Sequence, residues 1–357
     1  MRILYSFNKK GYEAECWMRE IAAASSAAAA FVPFNHSQYL DPQRITDAVK
    51  LDRLHRDRDP GLLALYRALE ERIRAERIDV LLVANCPPYH PDFLRNVGVY
   101  KVLFSADDPE ATYRINIPYL HAYHHVFFVD PAYSADLDMT EKMGYAGMVN
   151  ADWVPISVFD FECDAARSEP EVLTQPRDID VVYVGSFWRQ KVDALMRVSH
   201  ALGRRFRLHG YFRLRHNLYL NVVHRYGGWV SPLSFQDRVA IYQRSKIGFN
   251  VHWNEFGLGN QRLYHLPANG VMQVSDCAAH LDRIFAVNRE VVGYRGTDDL
   301  IDRLRYYLDH DQDRREIAAA GYRRVMKDYR FATVCRRAVE LIRAGMERIG
   351  WSKALTA

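Results

Sequence analysis

Three short segments hold residue types suited to a phosphorylated or hydroxylic substrate. Gly185-Ser186-Phe187-Trp188-Arg189-Gln190-Lys191 follows the apolar run from Ile179 to Val184. A glycine closing a strand lets the backbone approach a ligand, and a helix starting there offers free N–H groups and the positive end of its dipole. Arg189 and Lys191 stand where they would neutralise a diphosphate, a leaving group whose charge grows in the transition state. The same residues also fit a plain strand-to-helix turn with two solvated cations. The segment from Glu255 to Arg262 has the same design: Gly257, Gly259 and Asn260 lead into a helix, and Arg262 in its first turn adds a forked donor. In the first half, Asp107 and Asp108 follow the strand ending at Phe104. Paired acids there would serve as a general base toward an acceptor hydroxyl, each raising the pKa of the other. They would equally well cap the turn before Pro109, and Asp130-Pro131 invites the same two readings.

Other clusters read more plainly. His121 and His125 are four apart, but no glutamate of the H-E-x-x-H kind lies between them, and we expect no metal. Arg204 to Trp229 is basic and aromatic, as a nucleic-acid-binding stretch would be. Leu214, Leu218, Val222 and Tyr226 nevertheless form an apolar stripe, so an amphipathic helix with a solvated cationic face accounts for it. The five cysteines are scattered, with no C-x-x-C pair, and fit reduced thiols in a cytoplasmic protein.

The elements that must position these segments follow from the hydrophobic pattern. At 357 residues, 49% apolar and 26% charged, the chain fits two soluble globular domains. The net charge of +4 is too mild to single out nucleic acid. No segment has the length and apolarity to span a membrane. The alanine-rich run from Ala22 to Ala30 is preceded by acids and broken by Ser25 and Ser26, which fits a first crossover helix over Glu13 to Ala28. Arg2–Phe7, Ala30–Phe34, Asp79–Ala84, Val99–Phe104 and His125–Val129 read as buried strands separated by helices, hence a parallel sheet covered on both faces. Asp160 to Arg177, charged and aperiodic, reads as a linker. The pattern then restarts with Ile179–Val184, Phe206–His209, Lys246–Val251 and Val271–Val274, and the tail from Thr297 is helical. Two doubly wound units would face one another across a cleft, with ligands at the carboxyl ends of the strands.

The second half resembles the CgeB-like branch of the group 1 glycosyltransferases, which have the GT-B fold of two Rossmann-like domains. The resemblance rests on DVVYVGSFWRQK, YQRSKIGFN and GNQRLYHLPANGVMQVSD, and on the tail DRREIAAAGYRRVMKDYRF. VLFSADDPE, HVFFVD and DWVP extend it to the first half. It implies an acceptor-side domain over residues 1–157, a nucleotide-sugar-binding domain over 158–330, and a last helix over 331–357 that returns to the first. It places Gly185, Ser186 and Arg189 on the donor diphosphate, Gly210 and Tyr211 near the nucleotide base, Arg262 on the phosphates, and Asp107 and Asp108 on the acceptor side. One departure stands out. The family usually has a glutamate three residues after the arginine, holding the donor ribose, and here that position is His265. Histidine offers one hydrogen bond in place of a bidentate carboxylate.

These residues make a glycosyltransferase the leading expectation. The donor would be a nucleotide diphosphate sugar, the acceptor is unidentified, and no cofactor or metal is required, because Arg189, Lys191, Arg262 and helix N-termini would stabilise the leaving diphosphate. If the reaction inverts the anomeric centre, Asp107 or Asp108 is the base; if it retains configuration, they position the acceptor. His265 motivates a rival reading, a catalytically silent GT-B binding protein. A nucleotide-sugar epimerase on the same fold is another, and a nucleic-acid acceptor is a less favoured special case.

Overall fold

The computed structural model describes residues 1–84, 88–106, 115–131, 137–252, 260–276 and 281–351. Asp107, Asp108, Gly257 and Gly259 lie outside them. The chain forms two compact units, Met1–Ile156 with Phe331–Ala357, and Ser157–Arg330.

The first unit is built on six strands: β1 (Arg2–Phe7), β2 (Ala30–Asn35), β3 (Val80–Ala84), β4 (Tyr100–Ser105), β5 (His125–Phe128) and β6 (Ala151–Trp153). Their order is β2-β1-β3-β4-β5-β6, and every neighbour is parallel. The second unit holds β7 (Ile179–Val184), β8 (Phe206–His209), β9 (Ser245–Asn250), β10 (Met272–Asp276) and β11 (Val292–Tyr294). They run parallel in the order β11-β10-β9-β7-β8. The runs VLLVA and IDVVYV are buried almost throughout because helices cover both faces, the condition under which parallel sheets persist. In the second sheet the chain leaves β7 for β8 on one side and returns to β9 on the other. That reversal opens a crevice at the carboxyl ends of β7 and β9.

Several expectations change in detail. The first helix ends at Ala23 rather than Ala28, because the alanine run turns at Ser25, whose hydroxyl accepts from the Phe31 N–H, and re-enters the sheet at Ala30. The stretch from Asp160 to Arg177 is not a structureless linker. It carries a helix, Glu169–Thr174, with a capping box in which the Glu171 carboxylate takes the Ser168 N–H. It ends on Arg177, whose half-buried guanidinium donates to the carbonyls of Val172, Tyr242, Ser245 and Asn269. Aperiodic sequence concealed this, since one arginine ties three stretches of chain through four carbonyls without an apolar repeat. The helical tail is three helices, Gly296–Asp309, Asp311–Asp328 and Phe331–Arg348. The last belongs to the first unit, where Gly345 O accepts from Asn150 Nδ2 at 3.0 Å and Arg348 donates to Asn150 Oδ1 at 2.6 Å. Among the described residues no helix is long and apolar enough to cross a membrane.

Candidate functional site

The sequence-predicted residues of the second unit converge at the reversal of its sheet. Gly185 follows β7 and Gly210 follows β8, and the two backbones pack directly against each other. A Cβ on Gly210, whose φ is +141°, would stand 1.8 Å from the Gly185 carbonyl oxygen. A Cβ on Gly185 would meet the Arg262 guanidinium at 2.6 Å. Both positions therefore need glycine for a steric reason, and Gly185 needs it so that Arg262 can reach the strand end.

Arg262 lies in the first turn of the helix Gln261–Ala268, which Asn260 caps by accepting the Arg262 N–H at 2.9 Å. Its side chain is only 8% exposed. Nε donates to the Val184 carbonyl at 2.8 Å, one Nη donates to Asn250 Oδ1 at 2.6 Å, and the guanidinium stacks over the Tyr183 ring at 4.1 Å. Asn250 is shared, because Asn260 Nδ2 also donates to its Oδ1 at 2.9 Å. The helix Arg189–Leu202 begins beyond Gly185 without a side-chain cap, which leaves first-turn N–H groups for solvent or a ligand. Its Lys191 is 7% exposed.

The electrostatics are lopsided. Burial, and then the neighbouring Arg262, push the Lys191 ammonium down to about 8, against the pull of Asp276. Asp276, at the end of β10, is itself engaged: it accepts from the His252 backbone N–H at 2.7 Å and contacts the His252 ring. Burial raises the Asp276 carboxyl, but His252 and Lys191 outweigh it and hold the acid below its ordinary range. Neither Lys191 nor Arg262 forms an ion pair with a described carboxylate. Two buried cations facing one strand-end crevice leave an excess of positive charge that an anion would relieve.

Other predicted residues stand further out. Ser186 and Arg189 are exposed, and Tyr211 is exposed with its carbonyl accepting the Phe187 N–H. His265 is 2% exposed at the far end of its helix, its Nε2 standing 3.0 Å from the Glu162 carboxylate. Burial raises the Glu162 carboxyl, but His265, the Phe159 N–H and Arg238 hold it below the ordinary range. The family glutamate position is thus filled by a histidine that meets an acid from within the protein.

Sequence reasoning missed Asn250, His252 and Asp276. A signal was present: Asn250 and Asp276 are the polar last residues of the buried strands SKIGFN and MQVSD. In the first unit, His125 is buried in β5 with its Nε2 2.8 Å from Asp152, which separates it from exposed His121. A different group, His55, His90 and Asp92, brings its ligand atoms within 4.8 Å of one another. The two imidazoles are stacked at 3.8 Å and 5°, so their in-plane lone pairs run side by side instead of converging, and His90 Nδ1 already accepts the Asp92 N–H.

Comparison with known proteins agrees with the architecture of two parallel-sheet units. Residues 182–341, a little under half of the chain, match the model of the family described as glycosyl transferase-like. No curated protein matches the chain. Among solved structures, sucrose-phosphate synthase from Thermosynechococcus elongatus superposes with a TM-score of 0.61 at 12% identity, covering 96% of this chain and 98% of that one. Anabaena HepE, solved in complex with UDP and glucose, gives 0.60 at 11% identity over 96% and 100%. A putative UDP-N-acetylglucosamine 2-epimerase from Listeria monocytogenes gives 0.56 at 14% identity over 99% and 98%. The fold is therefore GT-B, two parallel-sheet α/β domains, and its second unit carries a glycosyl transferase-like sequence.

Proposed function

We propose that the chain is a glycosyltransferase that takes a sugar from a nucleotide diphosphate donor held by the second unit, with a uridine diphosphate as the first candidate. The observation that carries this reading is the pair of buried cations, Lys191 and Arg262, at the reversal of the second sheet. As the bond between the anomeric carbon and the diphosphate oxygen breaks, negative charge collects on the leaving group. Fixed cations already in place stabilise that charge more than they stabilise the intact donor, which is the requirement for catalysis. Gly185 and Gly210 keep the approach free of side chains, and the uncapped helix at Arg189 adds oriented N–H groups. With these cations supplying the charge, the transfer proceeds without a metal. The acceptor oxygen forms the new bond and gives up its proton, to Asp107 or Asp108 in an inverting course. The UDP ligand of HepE supports the choice of nucleotide.

The test is a thermal-shift series with UDP, GDP, ADP, CMP and dTDP, with and without magnesium. A ligand that binds only the folded chain raises its midpoint with occupancy. We expect one diphosphate to raise it regardless of magnesium, and Lys191→Met, which keeps its fold, to weaken that ligand by about 10–100-fold. If no diphosphate shifts the wild-type chain, the transferase reading fails and the silent-scaffold reading takes over. Conversion of the donor sugar in the absence of any acceptor would mark an epimerase instead.

A further inference from the structure

Between Asp193 and Asp237 the chain has no acidic residue, yet it carries seven arginines, more than the net charge of the whole molecule. Arg204, Arg207, Arg213, Arg215 and Arg225 have no ion pair among the described residues, and all five are exposed. Within this stretch lies the helix Leu214–Val223, after the edge strand β8. Its inner side is fixed by buried Leu220 and by Asn217, whose side chain both accepts from and donates to the Val230 backbone at 2.8 and 3.0 Å. Phe187 adds a ring stacked on His216 at 4.0 Å.

Of the apolar stripe foreseen in the sequence, only Tyr226, beyond the end of the helix, packs against the core. Leu214, Leu218 and Val222, at successive i+4 positions, are 64%, 51% and 77% exposed, and Trp229 on the adjoining segment is 55% exposed. The stripe was expected to anchor an amphipathic helix, but Asn217 and Leu220 do that instead, and its three aliphatic residues are left facing water. Scattered exposed leucines are ordinary, whereas three aliphatic residues at i+4 spacing on one helix, within a stretch that also holds an exposed tryptophan and arginines but no acid, are not.

We propose that this face is a peripheral attachment surface for an anionic lipid bilayer. Leucine and valine suit the acyl boundary, tryptophan suits the headgroup region, and unpaired arginines suit acidic headgroups. A nucleic acid would use the arginines but gain little from aliphatic side chains on a helix face. A second copy of the chain would bring two arginine fields together, which opposes pairing.

The experiment is co-sedimentation of the full-length protein with vesicles of phosphatidylglycerol and phosphatidylcholine, against vesicles of phosphatidylcholine alone. Binding is expected only to the anionic vesicles, and rising salt should release it. Leu218→Asp with Val222→Asp should abolish it while leaving the melting midpoint unchanged, since both side chains are exposed. Each arginine replaced by serine, Arg213 or Arg225, should weaken it about fivefold. Equal binding to neutral vesicles, or no binding to either, overturns the proposal. So does a nucleic-acid oligomer bound through the arginines with no loss in the aspartate variant. A concentration-dependent dimer that the aspartate variant dissolves would likewise replace the bilayer with a second copy. Diphosphate binding by these variants reports separately on the donor site.

Discussion

Lys191 is the residue whose chemistry is most exposed to test. A lysine held near 8 by burial and by Arg262 is charged at neutral pH, though less firmly than one in water. The sign follows from linkage. A diphosphate favours the ammonium, so the bound form has the higher pKa, and binding above about pH 8 must take up a proton. Affinity should therefore be flat from pH 7 to about 8 and then fall, by up to about tenfold per pH unit. Calorimetry in buffers of different ionisation heat should detect the proton uptake at pH 9 and its absence at pH 7. In Lys191→Met the decline should vanish, leaving weaker and pH-independent binding over that range. A wild-type affinity unchanged between pH 7 and 9.5 would show that no lysine titrating near 8 holds the diphosphate, and Lys191→Met binding as tightly as wild type would remove Lys191 from the site.

At the scale of elements, the sequence made some features legible and concealed others for identifiable reasons. The helix Gln261–Ala268 is where its apolar spacing puts it, and continuous runs such as IDVVYV can hardly be anything but strands buried on two faces. Gly185 and Arg262, which meet in the structure, could be picked out as candidates because a glycine following a strand and an arginine opening a helix each carry local meaning. Asn250 and Asp276 could not, since a polar residue at a strand end acquires its role only when sheet order sets β9 beside β7 and β10. Exposure of Leu218 was equally hidden, because period alone does not say which side of a helix meets a core. Glycines with long-range partners belong to the same class. Gly345, inside the helix Phe331–Arg348, reads as a mild helix defect, and alanine there would ordinarily stabilise. Its Cβ, however, would lie 2.7 Å from His125 Nδ1 and 2.8 Å from the Tyr100 hydroxyl. Gly345→Ala should thus destabilise the protein by about 1–3 kcal/mol, the overpacking cost, and the deficit would appear as a lower midpoint in denaturant at unchanged slope.

For the whole molecule, the decisive feature is that chain order and unit order differ. The first unit is assembled from both ends of the sequence, and the second is a continuous insertion from Ser157 to Arg330. Removal of everything after Arg330 would consequently damage the unit farther away in sequence. The lost helix buries Phe331, Val334, Val339 and Ile342, and it leaves Asn150 without Gly345 and Arg348. At about 1.5–3 kcal/mol for each of these four side chains, the loss is on the order of 6–12 kcal/mol, comparable with the whole stability of a domain. The second unit keeps its five strands, its core and the Lys191–Arg262 pair. A chain ending at Arg330 should therefore show a first unit that melts at lower temperature or is already unfolded. In the same scan, a second transition should still rise when the diphosphate is added. If the truncated chain instead loses its ligand-induced shift altogether, the donor site depends on the first unit, and the cations at the end of β7 and in the helix after Asn260 are not sufficient to hold the nucleotide.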